Sequence, residues 1–315
     1  MLSGCGSSSP FRQQPAKTPV IGFLAVGSYE SRPPLIAGFR QGLRDLGYVE
    51  GETVAIEYRF AQRGDGLLDV AADLVGLQVD LILASGTPAT VAAKQATTTI
   101  PIVMGSGGDP VATGLVASLA RPGGNVTGMS LIVPKISGKR LELLKAIVPG
   151  LSRVAVLLNA TNPLHVVEEK EIRAATQVLG VEIQLLFVQT VDDFAGAFLD
   201  AAGAGANAVW GTDDPVVTNA RDQLADLALR YRFPSVFHVP EIARAGGLLA
   251  VGPELATVYR HAATHVDKIL KGARPADIPV EQPTNVDVVI NLKTAQALGL
   301  TIPQSILTQA TEVIQ

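Results

Sequence analysis

The chain has 315 residues, a net charge of −4, 47% hydrophobic residues and 17% charged residues. A chain of this length and apolar content can bury the cores of two ordinary domains, and the composition is not that of a disordered protein. The small negative charge, without a dense cluster of Lys and Arg, argues against nucleic acid or an anionic membrane surface as the main partner.

The N-terminal segment, residues 1–18, is polar, and we expect it to be a disordered leader or tether. It lacks the basic and apolar stretches of a signal peptide. Its sequence Leu2-Ser3-Gly4-Cys5 resembles the box at which bacterial lipoproteins are cleaved and lipidated on cysteine. Two interpretations stay open, a lipid anchor at Cys5 and a chance match. Because Cys5 is the only cysteine, an intrachain disulfide and a cysteine-based zinc site are both excluded.

Short apolar runs alternate with amphipathic stretches in two successive halves of the chain. Continuous apolar runs predict parallel strands that are buried on both faces, and the helical stretches between them predict βαβ units. The runs of the first half are 20–27, 54–61, 80–86, 101–107 and 125–130, and those of the second half are 153–159, 182–189, 207–214, 235–239 and 248–252.

The stretches between these runs predict helices. The first shows the helical period in Leu35, Phe39, Leu43 and Leu46, which lie on one face. The turn-rich segment 121–130 lies between the halves, and a second break at 272–285 precedes a further strand at 286–291 and a helix from 292. Both segments predict hinge crossings. The predicted helices are 34–47, 66–78, 88–98, 137–147, 163–179, 192–204, 216–232 and 254–271.

Polar residues in the loops after the strands are the candidate ligand contacts, because open parallel sheets bind ligands beyond the carboxyl ends of their strands. Asn and Asp side chains supply donors and acceptors there, and a helix N-terminus favours a carboxylate. The alternative to ligand binding is a structural role for these residues, in a turn or as a helix cap. The candidates are Ser28, Tyr29, Ser85, Thr87 and Asp109 in the first half, and Asn159, Asn162, Thr212, Asp213, Asp214, His238 and Glu241 in the second.

These loops predict separate sites for the two charges of a small zwitterion. Ser85 and Thr87, with Thr87 as the N-cap of a helix, would hold a ligand carboxylate. Asp109 or Asp213 would hold an ammonium group, and Tyr29 could stack on a ring. Trp210 is either a stacking platform or a residue of a buried strand.

Motifs of catalysis, metal binding and cofactor binding are not matched. The loop from Gly105 has Pro110 where G-x-G-x-x-G requires its last glycine. A G-x-S-x-G nucleophile elbow and a phosphate-binding P-loop are both absent from the sequence. His261 and His265 are four residues apart, but the glutamate of H-E-x-x-H is missing. We therefore expect no catalytic residues, no metal and no cofactor.

Several stretches together resemble one family, the substrate-binding components of ABC transporters of the tryptophan/tyrosine type. Each stretch alone is modestly specific, whereas the ordered set is highly specific and spans nearly all of 20–305. The stretches are 38–61, 108–128, 154–163, 246–284 and 288–303.

The resemblance implies a type I periplasmic-binding fold, in which two doubly wound parallel-sheet α/β lobes are joined by a hinge of three crossings. The first lobe would comprise 19–127 plus 253–282, and the second 128–252 plus 283–315. The implied function is that of a monomeric periplasmic or cell-surface component of an ABC importer. It would bind an amino-acid-like, aromatic or carboxylate ligand and deliver it to an ABC permease. A sensory domain of the same fold is the alternative, and an α/β enzyme is a third hypothesis.

Overall fold

The computed structural model describes residues 18–131 and 133–315, without the side chains of 133–135. The proposed lipidation residue Cys5 and nearly all of the predicted tether lie outside the described residues. The described strands form two sheets, one of five strands and one of seven. The predicted class of two parallel-sheet α/β lobes is confirmed.

The first sheet has the order β2-β1-β3-β4-β5, and all its strands are parallel. Helices between the strands cover its faces, as the alternating sequence pattern predicts. Its elements are β1 (Val20–Val26), α1 (Pro33–Asp45), β2 (Ala55–Ala61), α2 (Leu67–Gly76), β3 (Leu81–Ala84), α3 (Thr87–Ala96), β4 (Ile102–Gly107) and β5 (Val126–Ser130).

The second sheet contains β6 (Arg153–Leu158), β7 (Glu182–Phe187), β8 (Ala208–Gly211), β9 (Ser235–Phe237), β10 (Leu249–Gly252), β11 (Asp287–Asn291) and β12 (Glu312–Ile314). Its order is β12-β11-β10-β9-β8-β6-β7, and only the β10–β11 pair is antiparallel among its described strands. The helices that follow β5 are α4 (Val133–Ile147), α5 (His165–Leu179), α6 (Asp193–Gly203), α7 (Pro215–Asn219), α8 (Arg221–Arg230), α9 (Pro240–Arg244), α10 (Leu255–Leu270), α11 (Leu292–Leu298) and α12 (Gln304–Leu307).

Helix α10 returns the chain to the first lobe, where it packs against α1. Two glycines of α1 make this close approach possible, because a Cβ atom on Gly38 would lie 2.2 Å from the carbonyl oxygen of Ala256, and one on Gly42 would lie 2.3 Å from that of Arg260. The apolar face of α10 is buried from Leu255 to Ile269.

Within the described residues, the chain crosses between the lobes three times, after β5, between β10 and α10, and before β11. The third crossing follows Glu281, which bridges to Met129 beside the end of β5. Because β5 continues to Ser130 in the first sheet, the boundary between 127 and 128 that the family resemblance implies falls inside a strand.

The structure differs from the predicted elements in two further respects, and it decides between the two roles considered for Trp210. The helix expected over 216–232 is two helices, α7 and α8, which meet at Ala220. The short elements α9, α12 and β12 were not predicted because segments of three to five residues show no measurable period. Trp210 is fully buried in the core of the second lobe, so it belongs to a buried strand and is not a stacking platform.

Across residues 18–131 and 133–315, no helix is both long and apolar enough to span a membrane. Over that same part of the chain, three or more His, Cys, Asp or Glu side chains nowhere come together as a metal site would require.

Candidate functional site

The carboxyl ends of strands from both sheets face a narrow cleft between the lobes. The cavity in this cleft has a volume of about 20 Å³, which is room for about one water molecule, so the lobes are closely apposed. Both lobes contribute polar side chains to its wall. The lining residues are Arg32, Leu35, Ser85, Gly86, Thr87, Ser106, Leu131, Asp213, Pro215, Thr218 and Leu255.

A buried guanidinium group lies on the first-lobe side of the cavity. Arg32 ends the loop after β1, and its Nε donates to the carbonyl oxygen of Val26 at 2.9 Å. Its Nη1 donates to Oγ of Ser85 at 2.7 Å, and its Nη2 has no hydrogen-bond partner among the described residues. Burial lowers the pKa of Arg32, while the nearby Tyr259 and Asp214 raise it. Arg32 was not predicted as a site residue, although a cation in a strand-end loop was an available signal.

Hydroxyl groups extend this polar surface at the N-terminus of α3. Oγ of Ser85 shares a hydrogen bond with the Tyr259 hydroxyl, which also lies 3.1 Å from Oγ of Ser106. Tyr259 belongs to α10, so the helix that returns to the first lobe completes the site. Its position more than 150 residues away in sequence explains why the strand-end argument did not find it.

Thr87 lies at the cavity but does not cap α3, contrary to the prediction. The N-cap residue is Gly86, whose φ is 89° and which provides no side-chain cap. Oγ1 of Thr87 instead accepts a hydrogen bond from the backbone N–H of Gly108 at 3.0 Å. The Thr87 hydroxyl therefore keeps its own proton available as a donor.

Asp213 is the acidic residue in the cavity wall, and it comes from the second lobe. Its backbone N–H donates to Oε1 of Glu168 at 2.9 Å, and its Oδ1 lies 3.5 Å from Nε2 of His238. Burial raises the pKa of Asp213 to about 7, against the opposing effect of Arg140. Burial, together with Arg140, lowers the pKa of His238 to about 3, so this imidazole is neutral at pH 7. Its Nε2 lies 3.0 Å from Oγ1 of Thr218.

A buried guanidinium group, that of Arg140, and a buried carboxyl group, that of Glu168, lie behind Asp213. Nε of Arg140 donates to the carbonyl oxygen of Val251 at 2.9 Å, while both Nη atoms lack a hydrogen-bond partner among the described residues. Burial lowers the pKa of Arg140 to about 10. Burial and the neighbouring Asp213 raise the pKa of Glu168 to about 8. Neither residue was predicted, because both lie within helices and outside the strand-end loops.

The other predicted residues near Asp213 form hydrogen bonds that hold its loop in place. Oδ2 of Asp214 accepts from Nδ2 of Asn159 at 3.1 Å and from Nδ2 of Asn162 at 3.0 Å, while its Oδ1 caps α7 through the N–H of Val216 at 2.7 Å. The hydroxyl of Thr212 donates to the carbonyl oxygen of Leu157 at 2.6 Å. These four side chains are buried and do not line the cavity.

Four more predicted residues lie away from the cavity wall. Ser28 lines a larger groove of about 440 Å³ between the lobes. The Tyr29 ring packs edge-on against Tyr58 at a centroid distance of 5.3 Å. Asp109 accepts from two N–H groups of its own turn. Glu241 accepts from the N–H of Leu255 at 3.3 Å, and burial raises its pKa to about 7. His238 also lies outside the cavity wall, with its Nε2 3.5 Å from Oδ1 of Asp213. Ligand roles for all of these remain predictions.

The comparisons with known proteins agree with this architecture. The family model described as "ABC transporter substrate binding protein" matches residues 21–314. This chain belongs to that family. Membership places it among extracytoplasmic solute-binding proteins and not among enzymes. A tyrosine-binding protein of Clostridioides difficile is 26% identical over 308 residues, which cover 95% of this chain and 88% of that protein.

Solved structures give the same result. A conserved domain protein from Vibrio cholerae has a TM-score of 0.88 at 26% identity, covering 94% of this chain and 100% of that one. An ABC domain from Streptococcus pneumoniae in complex with L-Trp has a TM-score of 0.86 at 27% identity, with the same coverage. A ligand-free, open substrate-binding protein from Clostridium difficile has a TM-score of 0.64 at 25% identity, covering 94% of this chain and 99% of that one. More distant likenesses, such as a leucine-binding protein at 16% identity, show the shared fold alone.

Proposed function

We propose that the chain captures a free amino acid between its lobes and delivers it to an ABC permease on the outer side of the membrane. The observation that carries this proposal is the pairing of opposite charges across one cavity. Arg32 on the first lobe has an unpartnered Nη2, and Asp213 faces the same space from the second lobe. An α-amino acid carries a carboxylate and an ammonium group, which match these two side chains.

The carboxylate would lie on the first-lobe side. There Arg32 supplies a charged donor, the Thr87 hydroxyl supplies a second donor, and the first N–H groups of α3 have no partner within the helix. Charge-assisted hydrogen bonds of this kind are about twice as strong as neutral ones. The ammonium group would lie against Asp213, whose ionised form it stabilises.

The cavity of about 20 Å³ must widen through a separation of the lobes to admit an amino acid. The ligand side chain would then contact the apolar part of the wall, which Leu35, Leu131, Leu255 and Pro215 provide. This lining suits an aliphatic or aromatic side chain better than a charged one. Two relatives are described as binding tyrosine or L-Trp, and this agrees with an amino acid as the ligand class.

Capture would couple binding to closure of the lobes, because Arg32 and Asp213 can contact one ligand together only when the cleft is narrow. The comparisons support a closed arrangement here. At nearly equal identity, the similarity to the L-Trp complex is higher than that to the ligand-free open structure, with TM-scores of 0.86 and 0.64. Attachment of a monomer to the membrane through a lipid on Cys5 is part of the same proposal.

A calorimetric titration with the twenty amino acids tests this function. We expect one group of related amino acids to bind wild type, and both Asp213→Asn and Arg32→Met to weaken that binding at least tenfold, a typical loss for one charged hydrogen bond. Asp200→Asn, an exposed substitution on α6, is the matched control and should bind as wild type does. Absence of binding by wild type, or undiminished binding by both cavity variants, would contradict the proposal.

A further inference from the structure

Two side chains of the second lobe donate to backbone carbonyl groups at the two ends of the first-lobe loop that carries Arg32. This loop, residues 27–32, follows β1. Nδ2 of Asn219 donates to the carbonyl oxygen of Val26 at 3.2 Å, and Nη1 of Arg221 donates to that of Ser31 at 3.2 Å. Both donors lie where α7 meets α8, outside the wall of the ligand cavity.

Asn219 donates to the same backbone carbonyl group that binds the side chain of Arg32. The carbonyl oxygen of Val26 accepts from Nε of Arg32 as well as from Nδ2 of Asn219. Gly27 makes the approach of Asn219 possible, because its φ is 97° and a Cβ atom there would lie 2.6 Å from Nδ2. The loop and the amide therefore fit each other closely.

The N-terminal end of α7 lies next to Asp213, the acidic residue on the second-lobe side of the ligand site. Asp214 caps this five-residue helix, and Asp213 precedes the cap. A movement of the second lobe that brings Asp213 to a ligand ammonium therefore also brings Asn219 to the loop of Arg32. The two contacts form or break together.

We propose that Asn219 and Arg221 are positioning residues that latch the closed lobes and thereby set how long the ligand stays bound. The inference rests on the proposed function and adds two residues that touch no ligand. In the open arrangement the two carbonyl groups bind water, so each bond contributes only its net free energy relative to hydration. Its loss should increase the rate of opening and leave the encounter of ligand with the open cleft unchanged.

The test uses rapid-filtration chase of radiolabelled L-tryptophan and L-tyrosine from the full chain. We expect Asn219→Ala and Arg221→Ala each to dissociate ligand roughly two- to tenfold faster, with association changed less than about twofold. Gln223→Ala is the matched control, since Gln223 on α8 donates to the carbonyl oxygen of Val191 at 3.1 Å within the second lobe alone. Dissociation rates for all three variants equal to wild type would overturn the latch.

Small-angle scattering separates failure of the latch from failure of the proposed function. The double variant Asn219→Ala/Arg221→Ala should have a larger radius of gyration than wild type and Gln223→Ala in the same solution. If wild type binds none of the amino acids, the proposed function is contradicted. The radius of gyration then tests the latch without reference to a ligand. An unchanged radius in the double variant would overturn it.

Discussion

Glu168 should make the ligand-free protein less stable as the pH rises, and Glu168→Gln should remove that effect. The carboxyl group is buried behind Asp213. Burial is the larger cause and repulsion from Asp213 the second cause of a rise in its pKa from 4.5 to about 8. Between those two values the folded chain keeps a proton that the unfolded chain has released. The free energy of unfolding therefore falls with rising pH across this range.

The size of the effect follows from the change in pKa. A rise from 4.5 to about 8 corresponds to roughly 5 kcal/mol above pH 8, at about 1.4 kcal/mol for each pH unit. Water that enters beside the ionised carboxylate relieves part of this cost, so we expect Glu168→Gln to be more stable than wild type by roughly 2–5 kcal/mol at pH 8.5. The amide oxygen of the replacement can still accept from the N–H of Asp213, which lies 2.9 Å from Oε1 of Glu168.

Urea unfolding from pH 4 to pH 9 measures this difference directly. The two chains should have similar stability near pH 4, where Glu168 is neutral in both states, and should diverge as the pH rises. Glu142→Gln, an exposed substitution on α4, is the control and should follow wild type. Parallel profiles for wild type and Glu168→Gln up to pH 9 would refute the reasoning.

Three other predictions concern the ligand and the membrane. Burial raises the pKa of Asp213 to about 7, and an ammonium ligand needs the ionised carboxylate. Ligand affinity should therefore fall by up to about tenfold per pH unit below pH 6. A dissociation constant that stays the same from pH 5.5 to 8.5 would contradict this. A Cβ atom on Gly86 would lie 2.8 Å from Cγ of Pro215 across the cleft, so Gly86→Ala should weaken ligand binding in calorimetry. Gly180→Ala, also at a positive φ but with open space around it, should not. Cys5→Ser in a full-length precursor should move the protein from the membrane fraction to the soluble fraction, and an unchanged distribution would exclude lipidation there.

The sequence was sufficient for the fold because the strands are strongly apolar. Runs such as 153–159 are buried on both faces, and their spacing leaves room for one helix each, so the βαβ pattern could be predicted from hydrophobic periodicity. The turn-rich segments 121–130 and 272–285 indicated two of the crossings, but turn residues alone do not mark where a strand ends. The strand β5 shows this, since it continues past the predicted boundary.

The candidate site was predicted only in part. Ser85, Thr87 and Asp213 follow strands directly, and the structure brings all three to one cavity. Asp214, in contrast, uses its carboxylate for a helix cap and two amides, a role that its neighbour does not share and that adjacent sequence positions cannot distinguish. Tyr259 reaches the site from α10 only because that helix returns to the first lobe.

The most direct test of the central claim compares an amino acid with analogues that lack one of its two charges. For L-tyrosine these are tyramine, without the carboxylate, and 3-(4-hydroxyphenyl)propionate, without the ammonium group; L-tryptophan has the corresponding pair. We expect one or more complete amino acids to bind in calorimetry at pH 7.5. Both analogues should bind at least tenfold more weakly, because each leaves either Arg32 or Asp213 unpaired. Equal affinity for an amino acid and both of its analogues would contradict capture through opposite charges on the two lobes.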